Sequence, residues 1–260
     1  MRTVPALRVR PVPVPALTPR QVDRMWQLYA DFYDHVDRDT FERDLAEKTL
    51  VFLGCDATTG VIVGFSTALI YRHPYRGRAV GVYFSGDTIV LPGYWGQTAL
   101  HRAVLYQLLR WKLRHPLTPL YWHLICSGYR TYLTLVRNLP THWPDHRRAT
   151  PEWERGLLQS VGRARYGDAW RAERAVVSFG EGQPVLKAAV APITPALEAL
   201  PEIAFFVTAN PGYGTGDELA MLGRVDLRAV LGMVPKWLRK ALRGRRARPV
   251  TGLAATTPAG

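Results

Sequence analysis

The segment 89–113, IVLPGYWGQTALHRAVLYQLLRWKL, constrains the fold of this chain more than any other. An apolar strand runs into a short polar loop, and the loop runs into a long amphipathic helix. That order leaves backbone N–H groups at the helix start without intrahelical partners, where the helix dipole also favours negative charge. The segment is therefore a seat for a phosphate or an oxyanion.

The elements around it follow from local signals. Thr18 with Pro19 and Gln21 reads as a capped helix start. Val22, Met25, Trp26 and Tyr29 then recur at helical spacing, which predicts an amphipathic helix over 19–35. Asp39 and Glu42 open a second short helix that turns Phe41 and Leu45 inward. Residues 50–55 and 61–71 read as strands joined by the turn-rich stretch 56–60, and 79–91 as a third strand after a turn at 72–77. A helix over 95–114 stops before Pro116, a strand follows at 120–126, and a helix over 129–138 ends at Pro140. The Pro-punctuated start holds an edge strand at 7–14.

This order, joined to the loop at 95–100, resembles the GNAT acyltransferases over about residues 5–138. The loop of that family reads Arg/Gln-x-x-Gly-x-Gly/Ala. Here the positions hold Trp95, Gly96, Gln97, Thr98, Ala99 and Leu100, so side chains differ while the backbone donors remain. The resemblance implies an α+β fold with a mixed, mostly antiparallel sheet flanked by helices and two last strands after the fourth helix. Residues 203–209 and 218–225 are the candidates for those strands. The chain then divides into a GNAT-like half at 1–140, an insertion at 141–201, terminal strands at 202–229, and a basic helix with a tail at 230–260. Within the insertion, a helix runs from Glu152 to about 165 and a hairpin over 173–190 turns at 180–182.

The resemblance also implies a chemistry, in which an acyl group passes from a thioester to an amine. A base takes a proton from the amine, backbone N–H groups on a splayed strand hold the oxyanion, and an acid protonates the thiolate. Asp87 is the candidate base, and a Gly beside an Asp inside a strand predicts a bulge or a close backbone approach. Tyr132 and Tyr129 are the candidate acids, with core packing as the competing reading. His123 is a further candidate base or a satisfied structural histidine. It should share a face with Tyr121 and Ile125, opposite Trp122 and Leu124. Val90, Leu91, Trp95, Gly96, Gln97, Thr98 and Ala99 would hold the donor, an acyl-CoA or an acyl-phosphopantetheine. The acceptor is a small-molecule or peptide amine. The altered loop, the basic balance and the many aromatics favour an acyl group longer than acetyl, delivered by coenzyme A or an acyl carrier protein, as in relatives that make N-acyl amino acids.

The formal net charge of +13 is unevenly placed. Lys236, Arg239, Lys240, Arg243, Arg245, Arg246 and Arg248 carry seven of those charges, and without them the balance falls to +6. In 230–246, Val234, Trp237, Leu238 and Leu242 can share a face against a basic one. That pattern suits an anionic membrane or an acidic protein partner, or a helix docked on the body with a solvated face. It supports the competing function, a non-catalytic GNAT-like module binding such a partner. Nucleic-acid binding has only charge behind it, without a helix-turn-helix, zinc-finger or RNP pattern. His142 and His146 are spaced for a metal, but Pro144 interrupts the helix this needs and no cluster completes a site, so no metal is expected. Cys55 and Cys126 lie in apolar runs and read as buried thiols. The Gly-rich stretch 210–216 lacks the ending of a P-loop and reads as a hairpin loop or a lid over the acceptor. The sequence lacks an apolar run near spanning length, and its start lacks the apolar core of a signal peptide. The expectation is a cytoplasmic protein, with the basic tail allowing peripheral contact at the inner membrane surface.

Overall fold

The structure is a computed structural model that describes residues 5–226. The basic segment 230–246 and the small polar end therefore lie outside the described residues. In chain order the elements are β1 (Leu7–Pro13), α1 (Pro19–Phe32), β2 (Tyr33–Asp34), α2 (Arg38–Ala46), β3 (Leu50–Asp56), β4 (Ile62–Tyr75), β5 (Arg78–Val90), α3 (Ala99–Arg114), β6 (Leu120–Cys126), α4 (Tyr129–Asn138), β7 (His142–Trp143), α5 (Glu152–Tyr166), β8 (Trp170–Arg171), β9 (Val176–Val177), β10 (Val185–Leu186), α6 (Pro195–Glu198), α7 (Pro201–Ala209) and β11 (Glu218–Arg224).

The fold is α+β. Its main sheet has the order β1-β3-β4-β5-β6-β11-β9-β8, with β7 also on β11. Every pairing is antiparallel except β5 with β6, which are parallel and joined through α3. Helices cover both faces. On one, α1 and α2 bury Met25, Leu28, Phe41 and Leu45 against β3, β4 and β5, and α5 buries Leu157 and Val161 further along. On the other, α3, α4 and α7 pack Val104, Leu108, Leu135 and Phe206 over Phe52, Tyr83 and Leu124. The order through α4 is the one the GNAT resemblance implies.

Local chemistry fixes the frame. Thr18 and Gln21 form a reciprocal capping box at α1, with Pro19 in the first turn. The long β4–β5 hairpin turns on Arg76 and Gly77, both with positive φ, the conformation of a tight type I′ turn. Strand β4 therefore continues to Tyr75, four residues past its expected end at 71.

The feature that positions the site is a splay. Strands β5 and β6 pair from Gly81↔Leu120 to Ser85↔Leu124 and then diverge. The divergence coincides with an irregularity in the β4–β5 ladder, where Ser66↔Thr88 is followed by Ala68↔Ser85. Thr67 thus faces both Gly86 and Asp87, and the extra residue bends β5 away. The neighbour had to be glycine: a Cβ on Gly86 would lie 2.3 Å from Thr67 Oγ1.

Several expectations are corrected. Helix α3 starts at Ala99 rather than 95, because a short turn at Pro92–Tyr94 and the left-handed Gly96 (φ +81°) intervene. Residues 203–209 are helical rather than extended. A short continuous apolar run fits either state, and Pro201 at the first turn with Phe206 fully buried decides for helix. Strand β11 is the one expected at 218–225; it pairs with β6 on one edge, and its partners on the other edge, β7 and β9, come from the 141–201 segment. Residues 173–190 do not form one hairpin. Val176 and Val177 pair with Trp170 and Arg171, whereas Val185 and Leu186 cross over to Asp34 and Tyr33.

Candidate active site

Two cavities meet at the splay from opposite faces of the sheet. The first, about 340 Å³, lies between the diverging end of β5, the loop before α3 and the start of α4. The second, about 540 Å³, lies on the α1, α2 and α5 side. Tyr33, Gly86, Thr88, Ser127 and Thr131 line both, so these residues form the passage between them.

The first cavity carries positive charge. Arg130 and His101 line it, and among the described residues no carboxylate does. Its back wall is apolar, formed by Leu100, Val104, Trp122, Leu124 and Leu186. The preceding loop is held by its side chains. Tyr94 donates to Asp56 (2.8 Å), Gln97 accepts from the Leu7 amide and donates to the Pro5 carbonyl (both 2.8 Å), and the Trp95 indole N–H donates to the Val90 carbonyl. Arg130 stacks 4.5 Å over the Trp95 ring. The loop's polar side chains are thus occupied in anchoring it, which leaves its backbone to face a ligand. The first α3 amides, at Ala99 and Leu100, precede the first i→i−4 bond, made by Arg102 to Thr98. Along β5, Leu91 donates to Val63 on β4, so by alternation the amides of Val90 and Thr88 face the splay. Of the expected donor residues, Val90, Trp95, Gly96 and Gln97 line this cavity, whereas Leu91, Thr98 and Ala99 do not. Leu91 packs instead into the α1–α2 core.

The second cavity carries negative charge. Asp37, Asp44, Glu47, Asp87, Glu181 and Glu218 line it against one guanidinium, Arg165. Asp87 projects from the bulge, and its carboxyl accepts from its own backbone N–H and faces Asp44 and Lys48. Burial, and then repulsion from Asp44, push its carboxyl up to about 7, against a downward pull from Lys48. Glu218 accepts a hydrogen bond from Ser127. Burial raises it too, to about 7, with Asp87 and Asp44 adding to the rise. Lys48 is fully buried and paired with Asp44 at 2.5 Å. Arg165 stacks on Phe84 with its guanidinium carbon 3.9 Å from the ring centre.

The three remaining sequence candidates lie outside both cavities. Tyr132 is fully buried against Phe205 and Phe206, and Tyr129 is buried in the same core. The α4 periodicity explains this: Arg130, Thr131 and Thr134 take the cavity face, so Tyr129, Tyr132 and Leu133 turn inward. His123 shares the face of Tyr121 and Ile125, as its strand parity requires. Its Nδ1–H donates to the Met221 carbonyl (2.9 Å), so its Nε2 must accept from the Tyr166 hydroxyl (2.9 Å). Burial first, and Arg165 further, lower its pKa to about 4, leaving a neutral ring that orients Tyr166, which lines the second cavity. Tyr33, Ser127, Arg165, Tyr166 and Glu218 were missed by sequence reasoning. Only Ser127 and Glu218 carried a local signal, as polar residues at the ends of apolar strands.

A strap from Phe179 to Ala191 crosses the mouth of the splay and lines both cavities. It is tied down by the Lys187 amide to the Phe32 carbonyl (3.0 Å), Lys187 Nζ to the Ala30 carbonyl (2.8 Å), and Gln183 to the Thr215 carbonyl (2.9 Å). The 210–216 loop contributes only Gly216 to the second cavity. Among the described residues no group of three or more His, Cys, Asp or Glu is placed to hold a metal ion, and no helix is long and apolar enough to cross a membrane.

No protein-family model matches this chain, and no curated protein matches it either. Solved structures do. A probable N-acyltransferase from Enterococcus faecalis V583 matches with 13% identity over 50% of this chain and 32% of its own, at a TM-score of 0.38. The chain thus spans about a third of that protein's length. A Trypanosoma brucei acetyltransferase matches with 18% identity over 56% of this chain and 98% of its own, at a TM-score of 0.37. A GNAT family N-acetyltransferase from Escherichia coli in complex with CoA matches with 18% identity over 55% of this chain and 79% of its own, at a TM-score of 0.33.

Proposed function

We propose that this protein is an N-acyltransferase that moves an acyl group from an acyl thioester to a cationic amine. The observation that carries the reading is the pair of cavities with opposite charge meeting at Gly86–Thr88. A phosphate-bearing donor fits the positive side, an ammonium fits the negative side, and the splay is where carbonyl and nitrogen would meet. Coenzyme A fits the residues present. Arg130 and the α3 amide of Leu100 would face its phosphates, and the open β5 edge would face its pantetheine arm. When bound, the donor supplies the activated thioester carbonyl.

Asp87 would take the proton that the ammonium must lose before it can attack. Its elevated pKa suits that task, because a base works best when its pKa lies near the working pH. The amides of Val90 and Thr88 would stabilise the oxyanion. The apolar back wall supports an acyl group longer than acetyl. Delivery by an acyl carrier protein, and docking on an anionic membrane, would depend on the basic segment 230–246.

The test is thiol release from acyl-CoAs of two to sixteen carbons with amino acids, polyamines and peptide amines as acceptors, followed by mass spectrometry of the product. Amide formation with a positively charged acceptor supports the reading. Saturable donor binding without thiol release from any pair would sink it in favour of the non-catalytic module.

A further inference from the structure

The acyl-transfer reading leaves one proton unassigned. An ammonium acceptor sheds two protons from nitrogen, and Asp87 accounts for the first. The second must leave as the amide forms, and the departing thiolate must gain one. No tyrosine of α4 faces either cavity.

Ser127 stands at the passage. It follows the last β6 residue, immediately before the Gly128 N-cap of α4, and it lines both cavities. Glu218 opens β11 and lines only the acceptor cavity. The ladder brings the two together. Cys126 pairs with Leu219, so Ser127 and Glu218 are the next cross-strand neighbours, and parity turns both away from the core that holds Cys126 and Leu219. Their side chains are hydrogen bonded, with the hydroxyl donating to the carboxylate. The Ser127 hydroxyl also meets the Tyr33 side chain in the passage, and a hydroxyl oxygen with two lone pairs can still accept from a substrate nitrogen there. Glu218 is a buried carboxylate with its charge opposed by Asp87 and Asp44, which favours taking up a proton.

We propose that Ser127, backed by Glu218, carries the second proton from the acceptor nitrogen to the leaving sulfur. This rests on the acyl-transfer reading. After Asp87 has taken the first proton, the nitrogen lone pair bonds to the carbonyl carbon and the carbonyl π pair moves to oxygen. The nitrogen then gives a proton to Ser127 Oγ while the Ser127 hydroxyl proton moves to Glu218. The oxygen pair re-forms the carbonyl and the C–S bond breaks with its electrons on sulfur. The proton returns from Glu218 through Ser127 to the thiolate. The products are amide and thiol, and the proton on Asp87 leaves to solvent. Ser127 is the catalytic residue of the pair, and Glu218 positions and recharges it.

The experiment compares two donors of one acyl group, octanoyl-CoA and 4-nitrophenyl octanoate, with the best amine for wild type. Nitrophenolate departs unprotonated from the zwitterionic adduct before the nitrogen gives up its second proton, which the strongly acidic N-protonated amide then loses to solvent, so only the thioester needs the relay. In Ser127→Ala and Glu218→Gln, kcat with the thioester should fall on the order of 10²-fold while kcat with the ester changes less than about threefold. Ser127→Thr, which keeps the hydroxyl, should restore most of the thioester rate. Glu218→Gln keeps an acceptor for Ser127, and its unfolding midpoint shows that the ladder is intact. Equal losses with both donors would make the pair structural and overturn the proposal, as would an unchanged thioester rate. Wild type that acylates no amine from either donor overturns acyl transfer, and the relay with it.

Discussion

The two cavities are close in space and unlike in origin. The first cavity, the proposed donor side, comes mainly from three stretches, 85–104, 122–134 and 186–191, and its central loop is continuous with one strand and one helix. The acceptor side gathers residues from α1, α2, the β5 bulge, the end of β6, the end of α5, the strap and the start of β11. The donor side presents chiefly backbone groups and one stacked arginine. The proposed acceptor side presents carboxylates, of which burial and mutual repulsion have made Asp87 and Glu218 reluctant to ionise. A backbone site tolerates side-chain change, which is why a loop with altered side chains keeps its donors. A carboxylate site depends on every charge around it.

That contrast can be broken first at Asp87. Asp87→Asn should lower kcat by 10²–10⁴ while leaving donor affinity within about twofold, as measured by steady-state kinetics and calorimetry. Full turnover in a variant that unfolds like wild type would remove the base from the acceptor side.

The opposite change is expected at the donor mouth. Arg130→Gln should weaken donor binding about tenfold, roughly 1.4 kcal/mol, and leave the acceptor KM unmoved. The effect should shrink as salt rises. Equal weakening of both substrates would mean that the cavities are not electrically distinct.

The acceptor side should also impose a pH signature. As the proposed base Asp87 must be ionised, so kcat/KM should rise with pH through about 7. Stability should run the other way. Asp87 and Glu218 have folded-state pKa values raised above their unfolded ones, so the folded protein binds more protons between about pH 4 and 7. Their contribution is therefore most favourable at acidic pH and is lost as pH rises through 7. Asp87→Asn should raise the unfolding midpoint at pH 8 by about 2–4 °C for each kcal/mol relieved, and by less at pH 4. A midpoint that drops at pH 8 would contradict the repulsion.

The smallest effect belongs to Tyr132. Its hydroxyl is buried without a hydrogen-bond partner among the described residues, and its ring is core. Tyr132→Phe should leave turnover within about twofold and stability within roughly 1 kcal/mol, or raise it slightly, since an unpartnered buried hydroxyl is itself unfavourable. A large loss of turnover would bring α4 back into the chemistry.

Much of the frame was legible because it is local. The Thr18–Gln21 capping box, the strand–loop–helix around Gly96, the bulge beside Gly86 and the Tyr129–Asn138 helix each follow from residues a few positions apart. Asp87 was legible for the same reason: an Asp after a Gly inside an apolar strand marks a break in the ladder. Where local signals were ambiguous the reading failed. Ile203, Phe205, Phe206 and Val207 fit a buried strand or a buried helix, and Pro201 at the first turn together with the surface offered by Tyr132 and Tyr213 selects the helix. Tyr129 and Tyr132 sit on the helix that the resemblance indicated, but which side of that helix meets the cavity depends on the angle at which it leaves β6.

By itself, then, the sequence determined the order of the elements through α4, the loop before α3 and one carboxylate at the splay, since caps, turns and hydrophobic periods act over a few residues. Tertiary structure alone decided the acceptor cavity. Ser127 meets Glu218 because β11 returns beside β6 in one register, 91 residues later in the chain. His123 becomes a support for Tyr166 because α5 packs over its strand. The carboxylate pKa values rise because distant segments bring negative charges into one low-dielectric space. Coulomb interaction and desolvation depend on distance through space, and separation along the chain does not encode that distance.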